Sequence, residues 1–367
     1  MKHYPLFYPY ISKEKILSEI ADTLNGRYLG QGPKVNKFEQ EFNKKYGYKY
    51  SIFLNSGTSA LEIAYHIIGI GRGDEVIVPV LNFTGGQNGL LRRNAKIVFA
   101  DIERDTLNLD PKDLERKISP KTKAIVAVHL GGVPVNKKIF KIAKRHSIPV
   151  IVDLAQDMEP ESGKYGNYLV YSFQAIKQIT TADGGMLVLR NIEEYQRAKK
   201  LRWFGIDREI ININNFQPWQ NREATFNIEE AGYKFQPTDI DASFGLAVLP
   251  DLDKILNYRA ELARAYCKGL NSIKQIKIIQ GGSHWLFCIL AENRDRLAKF
   301  LIKYGIETNL VHHRNDIYKI FDGKRLDLRN MNWVETRYLC LPINTKIRKL
   351  DVEYFCKKIN LFYNQAQ

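Results

Sequence analysis

The sequence predicts an α/β fold built on a mainly parallel sheet that is covered by helices on both faces. Short apolar runs such as Asp74–Pro79 and Ala124–His129 alternate with amphipathic stretches of helical period. Continuous apolar strands are typical of parallel sheets, because both faces of such a sheet are buried. The regular alternation of strands with helices indicates the same arrangement.

Composition excludes several classes of protein. The chain has 367 residues and 44% hydrophobic content, enough for one large domain and a smaller one. It has no apolar run of membrane-spanning length, and its N-terminus lacks the apolar core of a signal peptide. The net charge of +15 is spread along the chain, so we expect neither nucleic acid nor membrane as a partner. Four scattered cysteines predict reduced thiols, no metal site and a cytoplasmic location: Cys267, Cys288, Cys340 and Cys356.

Two amphipathic helices come first in the chain. Ile11–Leu24 and Val35–Tyr46 carry apolar residues at helical spacing, and the turn Gly30–Pro33 separates them. Ser51–Leu54 is predicted as a short strand, and Ala60–Ile68 is predicted as the next helix. We expect the stripe of the second helix, formed by Phe38, Phe42 and Tyr46, to face the core.

A small polar turn, Asn55–Ser59, joins that strand to its helix. A strand, a glycine-containing turn and a helix in succession leave free backbone N–H groups at the helix N-terminus, where anions bind. The hydroxyls of Ser56, Thr58 and Ser59 would add donors. The alternative interpretation is an ordinary helix N-cap without a ligand.

Phe83 follows the strand Asp74–Pro79, at a position where an aromatic ring either stacks on a flat ligand or fills the core. A helix from about Gln87 to Arg92 comes next. The following elements keep the alternation of strands and helices: Lys96–Asp101, Asp110–Lys117, Ala124–His129 and Lys137–His146.

Lys177 is predicted to lie in a polar loop between two strands, one ending near Ser172 and the other spanning Met186–Leu189. Partial burial of an amine lowers its pKa and makes the amine nucleophilic toward an aldehyde. The hydroxyls of Ser172, Thr180 and Thr181 flank the lysine and would bind an anion. The alternative interpretation is a solvated lysine in a hairpin loop.

Asp153 ends the apolar run Pro149–Val152, which we predict as a buried parallel strand. Carboxylates at the carboxyl ends of parallel strands point into the ligand crevice of open α/β sheets. A pyridoxal phosphate enzyme needs a lysine that binds the cofactor and a carboxylate that pairs with its ring nitrogen. Asp153 and Lys177 together favour this chemistry over the alternative that Asp153 caps a turn.

Apolar periodicity over Thr238–Leu270 predicts long helices that lead into a C-terminal domain. We expect residues 1–245 to form the large domain and residues 246–367 to form the small one. The polar segment Val311–Asp316 is interpreted either as a contact to substrate or cofactor or as an exposed loop. The asparagine-rich stretch Ile210–Phe226 is expected to be a loop near the active site.

Several short motifs occur in a characteristic order and spacing: Gly30–Pro33, Asn55–Leu61, Gly73–Pro79, Val128–Gly132, Asp153–Gln156, Ser172–Gly185, Gly232–Phe235 and Leu341-Pro342. In this order the chain resembles, nearly end to end, the nucleotide-sugar aminotransferases of the DegT/DnrJ type. The resemblance implies fold type I of the pyridoxal-phosphate-dependent transferases. That fold has a mainly parallel seven-stranded sheet in the large domain and a smaller α+β C-terminal domain.

The resemblance also implies roles for individual residues. Lys177 would bind the cofactor covalently, Asp153 would pair with its ring nitrogen, and Gln156 would contact its ring oxygen. Phe83 would stack on the ring. Lys234 stands where the family often has asparagine, and it would reach the phosphate of the neighbouring subunit. Two further sets would bind phosphate and substrate, respectively: Gly57, Thr58 and Ser172, and His312, His313, Arg314 and Asn315.

The implied activity is amino transfer from an amino acid, expected to be glutamate, to a nucleotide-diphosphate keto-6-deoxy sugar. A homodimer with shared active sites is expected, and Arg314 or His313 would bind the glutamate carboxylate. Sugar dehydratases of this fold carry histidine where Lys177 stands, which argues against a dehydratase. Other enzymes of fold type I and a pyridoxal-phosphate-binding regulator remain alternatives, although a regulator would not need Lys177, Asp153 and the phosphate turn together.

Overall fold

The computed structural model describes residues 2–208 and 228–365, so the stretch Ile210–Phe226 lies outside the described residues. The strands of the large sheet are β1 (Tyr50–Leu54), β2 (Glu75–Pro79), β3 (Lys96–Ala100), β4 (Thr122–Val128), β5 (Val150–Asp153), β6 (Tyr168–Ser172) and β7 (Gly185–Leu189). Their order across the sheet is β1-β7-β6-β5-β4-β2-β3. Strand β7 is antiparallel to both of its neighbours, and the other pairs are parallel. The predicted seven-stranded, mainly parallel sheet is therefore confirmed.

Helices cover both faces of this sheet, and further helices belong to the C-terminal part of the chain. In the described ranges they are α1 (Lys13–Asn25), α2 (Pro33–Tyr46), α3 (Gly57–Ile68), α4 (Gly85–Arg92), α5 (Pro111–Lys117), α6 (Lys138–Arg145), α7 (Ile192–Arg202), α8 (Asp239–Val248), α9 (Leu252–Leu270), α10 (Arg294–Ile302), α11 (Arg329–Val334) and α12 (Lys349–Gln365). Neighbouring residues of β1 point to opposite faces: Ile52 packs in the cluster that contains α3 and α7, whereas Phe53 packs against Phe38 of α2. None of these described helices has the length and apolar character needed to cross a bilayer.

Helix α1 has apolar residues on two sides, and only one of these sides is buried within its own chain. Ile16 is buried and Ile20 packs on the core, because this side of the helix lies against α8. Leu17 and Leu24, seven positions apart in the sequence and therefore on a common face, are 55% and 62% exposed. The helix thus carries a second apolar stripe that points away from the core of its own chain.

A smaller antiparallel sheet lies in the C-terminal part of the chain, with strand order β10-β9-β8. Its strands are β8 (Ile276–Ile278), β9 (Phe287–Ala291) and β10 (Tyr338–Leu341). Residues of α9, α10 and α12 complete its apolar core. Tyr4, at the other end of the chain, pairs with Ile306 and packs against the same core. The domain boundary that we expect at residue 245 falls within α8 and stays a prediction.

Candidate active site

Lys177 lies in the loop between β6 and β7, at the edge where the parallel strands end. Hydrogen bonds within the loop fix its path: the N–H of Thr181 donates to the carbonyl of Phe173 at 2.9 Å, and the N–H of Phe173 donates to Gly184 at 2.8 Å. The hydroxyls of Thr180 and Thr181 donate to backbone carbonyls of the same loop. These hydroxyls therefore hold the loop together, in place of the anion contact suggested by the sequence.

The amine of Lys177 lies in an environment that disfavours its charge. Burial lowers its pKa from 10.5 to about 8, and the negative charge of Asp153 opposes that change. Nζ also lies 4.0 Å from the centroid of the Trp285 ring. This lowered pKa agrees with the expected effect of burial, and about a tenth of the amine is then in the nucleophilic, unprotonated form at pH 7, far more than for an ordinary lysine.

Asp153 is the last residue of β5 and is buried. Its Oδ1 accepts the N–H of Ala155 at 2.9 Å. Burial raises the pKa of this carboxyl group, whereas the Ala155 N–H and the charge of Lys177 act in the opposite direction. A carboxylate in such a place is stabilised by a nearby cation. A protonated pyridine nitrogen would provide that cation.

Gln156 is held from two sides. Its Oε1 accepts the N–H of Gly131 at 2.6 Å, and its Nε2 lies 2.8 Å from Nε2 of His312. Burial, with a contribution from Lys177, lowers the pKa of His312 to about 3, so this ring is neutral and accepts the amide hydrogen of Gln156. The buried side chain of Gln178 donates to the backbone carbonyl of Gln156 at 2.9 Å. The amide is therefore fixed in orientation before any ligand binds.

The predicted phosphate turn opens α3. The Oγ of Ser56 accepts the N–H of Ser59 at 3.0 Å, so the ordinary N-cap interpretation is correct as far as it goes. Gly57 and Thr58 occupy the first helical positions, where backbone N–H groups have no acceptor within the helix. A Cβ on Gly57 would lie 3.1 Å from the Cβ of Ser172. This close approach places Ser172 beside the helix N-terminus, which is the kind of arrangement that binds phosphate groups in other proteins.

Phe83 lies between β2 and α4, and its side chain is 61% exposed. Its ring centroid is 6.2 Å from that of His312. A Cβ on Gly85 would come within 2.5 Å of the Phe83 ring and 3.4 Å of the Thr58 hydroxyl, so the ring lies near the phosphate turn. The exposed face excludes the alternative that Phe83 is a core aromatic.

Pyridoxal phosphate fits this set of groups. An amine of lowered pKa, a buried carboxylate, a fixed amide and an exposed aromatic ring surround the same strand ends, and a helix N-terminus with glycine at its first position completes the set. These are the donors and acceptors that an aldehyde, a ring nitrogen, a ring oxygen, a flat ring and a phosphate require. Within residues 2–208 and 228–365, no group of three or more His, Cys, Asp or Glu side chains could hold a metal ion.

The segment Val311–Asp316 divides into two parts. His312 faces the site, as described above. Arg314 does not, because its guanidinium donates to both carboxylate oxygens of Asp316 at 2.7 and 2.6 Å and to Asn332 at 2.7 Å. Its exposed fraction is 0%. The expectation that Arg314 binds substrate is therefore corrected: this side chain is saturated by its own chain and holds the segment in place.

The two other predicted substrate contacts of that segment, His313 and Asn315, also differ from each other. Asn315 is buried, and it donates to the carbonyls of Val80 and Asn82, so it fixes the segment to the end of β2. The side chain of His313 is 38% exposed, and its Nε2 lies 3.9 Å from Glu335. Of this pair only His313 is accessible to a ligand.

Lys234 lies beside the phosphate turn through its backbone. Its carbonyl accepts a hydrogen bond from the side chain of Asn55 at 3.4 Å, and the residue pairs with Trp203 in an isolated bridge. The ammonium lies 5.4 Å from the Trp203 ring and 5.8 Å from the Phe204 ring. A contact between Lys234 and a phosphate of another subunit therefore stays a prediction.

Sequence reasoning missed three contributors to the site. Trp285 donates to the carbonyl of Ile176 in the lysine loop, and Gln178, which lies within that loop, donates to the carbonyl of Gln156. Nδ1 of the buried His129 lies 2.7 Å from Asp157. The N–H of His129 donates to the carbonyl of Asp153 at 3.1 Å, so this buried pair supports the end of β5. Gln178 and His129 lie within motifs, but Trp285 does not, and no spacing rule links a tryptophan to a lysine more than a hundred positions earlier.

The comparisons with known proteins agree with this geometry. A model of the DegT/DnrJ/EryC1/StrS aminotransferase family matches residues 10–360. The spore coat polysaccharide biosynthesis protein SpsC of Bacillus subtilis is 32% identical, over 95% of this chain and 94% of that protein. The GDP-perosamine synthase of Escherichia coli O157:H7 is 31% identical, over 99% of this chain and 100% of that protein.

Solved structures agree on the fold. The sugar aminotransferase CalS13 from Micromonospora echinospora superposes with a TM-score of 0.89 at 27% identity. The superposition covers 98% of this chain and 99% of that chain. The similarity thus includes the smaller C-terminal sheet as well as the large one.

Proposed function

Because the chain belongs to the DegT/DnrJ/EryC1/StrS aminotransferase family, we propose that it transfers an amino group from an amino acid to a nucleotide-diphosphate keto-6-deoxy sugar. The family consists of pyridoxal-phosphate-dependent sugar aminotransferases. The observation that carries the proposal is the presence of Lys177 and Asp153 in one crevice at the carboxyl edge of the parallel sheet.

The sugar acceptor is supported by relatives and by charge. One similar protein is a GDP-perosamine synthase and another serves spore coat polysaccharide biosynthesis, so we place this reaction in the biosynthesis of amino sugars for surface polysaccharides. A net charge of +15 suits a substrate that carries two phosphate charges, because a basic surface raises the local concentration of anions. The free cysteines suit the reducing cytoplasm, where we expect the enzyme to act.

The residues that would hold the cofactor lie at the ends of four strands, β1, β2, β5 and β6. Lys177 would bind it covalently, Asp153 would pair with its ring nitrogen, and Gln156 would donate to its ring oxygen. Gly57, Thr58 and Ser172 would bind its phosphate, and Phe83 would cover its ring. When bound, pyridoxal phosphate supplies a carbonyl that reacts with amines and a ring that accepts the electrons released at the substrate carbon.

Lys177 is also the proposed proton-transfer group. An amine whose pKa is about 8 takes a proton from the substrate carbon and returns it readily near neutral pH. When the cofactor is bound, the carboxylate of Asp153 would favour a proton on the ring nitrogen, and its burial would strengthen that interaction. Gln156 is already fixed by Gly131 and His312, so it needs little reorganisation when the ligand binds.

The expected amino donor is glutamate, and its carboxylate needs a cation or a hydrogen-bond donor. Arg314 is saturated by Asp316, so His313 is the remaining candidate from our prediction. The half-exposed ring of His313 can approach a ligand without breaking a close ion pair.

A steady-state comparison tests the proposed activity. The purified protein is incubated with glutamate and a panel of nucleotide-linked keto-sugars, and amination is read by mass spectrometry. At equal concentration, at least one keto-sugar should be aminated far faster than pyruvate or oxaloacetate. Faster amination of the keto acids would replace the sugar assignment with a general amino-acid transaminase.

We further propose that the protein is a homodimer with active sites shared between subunits. Leu17, Leu24, Tyr28 and Leu29 are each more than half exposed, and a group of exposed apolar side chains of this kind suits coverage by a second copy. Lys234 would then bind phosphate across the interface. Mixing inactive Lys177→Ala chains with inactive Lys234→Ala chains should restore part of the activity, because one site of each mixed dimer keeps both residues. No recovery after proven subunit exchange would place each site within one chain.

A further inference from the structure

Trp285 connects the smaller sheet to the lysine loop. It precedes β9, and only 2% of its surface is exposed. Its indole N–H donates to the carbonyl of Ile176 at 2.9 Å, and this carbonyl belongs to the peptide bond that leads into Lys177. The ammonium of Lys177 lies 4.0 Å from the centroid of the same ring. One side chain therefore contacts both the backbone and the amine of the lysine position.

The ring of Trp285 is itself held by other aromatic rings. Phe7 stacks on it with centroids 5.3 Å apart and an interplanar angle of 27°, and His312 lies at 6.3 Å and 25°. The segment that carries Phe7 is tied to the smaller part of the protein, because Asn344 donates to the carbonyl of Leu6 at 3.2 Å. Trp285 is thus fixed in a single orientation beneath the amine.

We propose that Trp285 is a positioning residue for Lys177, which it holds through its indole N–H and whose ammonium form it stabilises through its aromatic face. The face of an indole ring attracts a cation, and the attraction is strongest where water is excluded. The hydrogen bond to Ile176 limits rotation of the peptide bond that leads into Lys177. The inference rests on the proposed function, in which Lys177 is the amine that binds the cofactor.

Other groups that face the amine act in known directions. The carboxylate of Asp153, at the end of β5, also favours the ammonium form, whereas burial disfavours it. His312 is uncharged near neutral pH, because burial and the charge of Lys177 lower its pKa to about 3. The aromatic face of Trp285 therefore acts in the same direction as Asp153 and favours the ammonium form.

The test measures the pKa of Lys177 in the cofactor-free protein. Trace acetylation with acetic anhydride between about pH 6 and pH 10 labels only the unprotonated amine, and peptide mass spectrometry reports the labelling of Lys177. Trp285→Phe keeps an aromatic face but lacks the indole N–H. Trp285→Leu keeps an apolar side chain but has no aromatic face. Trp333→Leu is the matched control, since its ring contacts Arg104 and Arg337.

Trp285→Leu should lower the pKa of Lys177 by about one. Trp285→Phe keeps an aromatic face, so it should lower this pKa by less than half as much. The Trp333→Leu control should leave this pKa unchanged. Equal pKa values in the Phe and Leu variants, or a rise in Trp285→Leu toward the ordinary lysine value, would mean that the ring acts only through burial and would overturn the proposal.

A second readout separates this inference from the proposed function. Borohydride reduction of the cofactor-loaded wild-type protein should attach the cofactor irreversibly to Lys177. Attachment to another lysine would overturn the proposed function. The acetylation experiment uses no cofactor, so its result is independent of that outcome. Thermal unfolding of each variant identifies any that fail to fold. If Trp285→Leu does not fold, the conservative Trp285→Phe variant is compared with wild type. That comparison tests whether loss of the indole N–H alone changes the rate at which Lys177 is labelled.

Discussion

Lys177 and Arg314 are two buried cations near His312, and their surroundings shift their pKa values in opposite directions. Arg314 is fully buried, and both oxygens of Asp316 accept its hydrogen bonds. Burial disfavours its charge, but the hydrogen bonds and charge of Asp316 outweigh that effect and raise the pKa of Arg314. Within the described residues, no ion pair joins Lys177 to a carboxylate, and burial lowers its pKa to about 8.

The difference indicates which buried charge serves the fold and which serves chemistry. A buried cation with a fixed, bidentate partner restrains the backbone around it, as Arg314 restrains the segment that carries His312. A buried cation without such a partner destabilises the folded protein, and such perturbed groups are concentrated at functional sites. The substitutions below test this division.

The largest effect is expected from Lys177→Ala. Turnover should fall by about four orders of magnitude or more, because the variant lacks both the covalent attachment and the proton-transfer group. The free energy of unfolding of the cofactor-free protein should stay the same or rise, since an unpaired buried amine is removed. Turnover assays and urea unfolding measure the two quantities. A loss of stability greater than about 2 kcal/mol would show that Lys177 has a structural role like that of Arg314.

Arg314→Met should lower the stability of the fold, which we do not expect of Lys177→Ala. Removal of the guanidinium leaves the carboxylate of Asp316 buried without its partner, which should cost about 3–5 kcal/mol in the free energy of unfolding. The matched control is the double variant Arg314→Met with Asp316→Leu, which should regain most of that loss because the buried pair is replaced by apolar groups. Urea unfolding decides the matter, and a single variant as stable as wild type would contradict the structural role.

Asp153→Asn should have a smaller effect on turnover than Lys177→Ala. The amide keeps the shape of the carboxylate but carries no charge, so the ring nitrogen of the cofactor would lose its proton more easily. Turnover should fall by about two to three orders of magnitude, with little change in the unfolding midpoint. Near-normal turnover in this variant would remove Asp153 from its proposed role.

Much of the large sheet and of the cofactor site could be predicted because the signals are local. The apolar run before Asp153 and the turn before α3 each encode a strand end and its functional group within a few residues. The exposed stripe of α1 could not be predicted in the same way. Leu17 and Leu24 have the same helical spacing as core residues, and only the position of α8 decides which stripe is covered.

The roles within Val311–Asp316 were beyond sequence reasoning for a different reason. An arginine in a polar loop has the composition of a ligand-binding group, and its partners Asp316 and Asn332 become visible only when the chain folds back. Trp285 is a similar case. Its function depends on contacts with Ile176 and Phe7, which lie at large separations in sequence, so no periodicity marks it.

The smallest effect, and the one that isolates the unpaired amine, is the pH dependence of stability. Below about pH 8, Lys177 is protonated in both the folded and the unfolded protein, so its unfavourable contribution is constant. Between pH 8 and 10.5, the unfolded chain keeps the proton that the folded protein has lost. The unfolded state then binds more protons, so this group makes the folded protein more stable as the pH rises through that range.

Buried tyrosines require a difference measurement. Burial raises the pKa of Tyr171 and Tyr46, so above about pH 10 these groups make the folded protein less stable as the pH rises. Lys177→Met keeps both tyrosines and replaces the amine by an uncharged side chain of similar length. We therefore expect the cofactor-free wild type to gain stability relative to Lys177→Met from pH 8 to 10.5, as measured by urea unfolding at each pH. A difference that is flat over this range, or that falls, would mean that the pKa of Lys177 is not lowered in the folded protein.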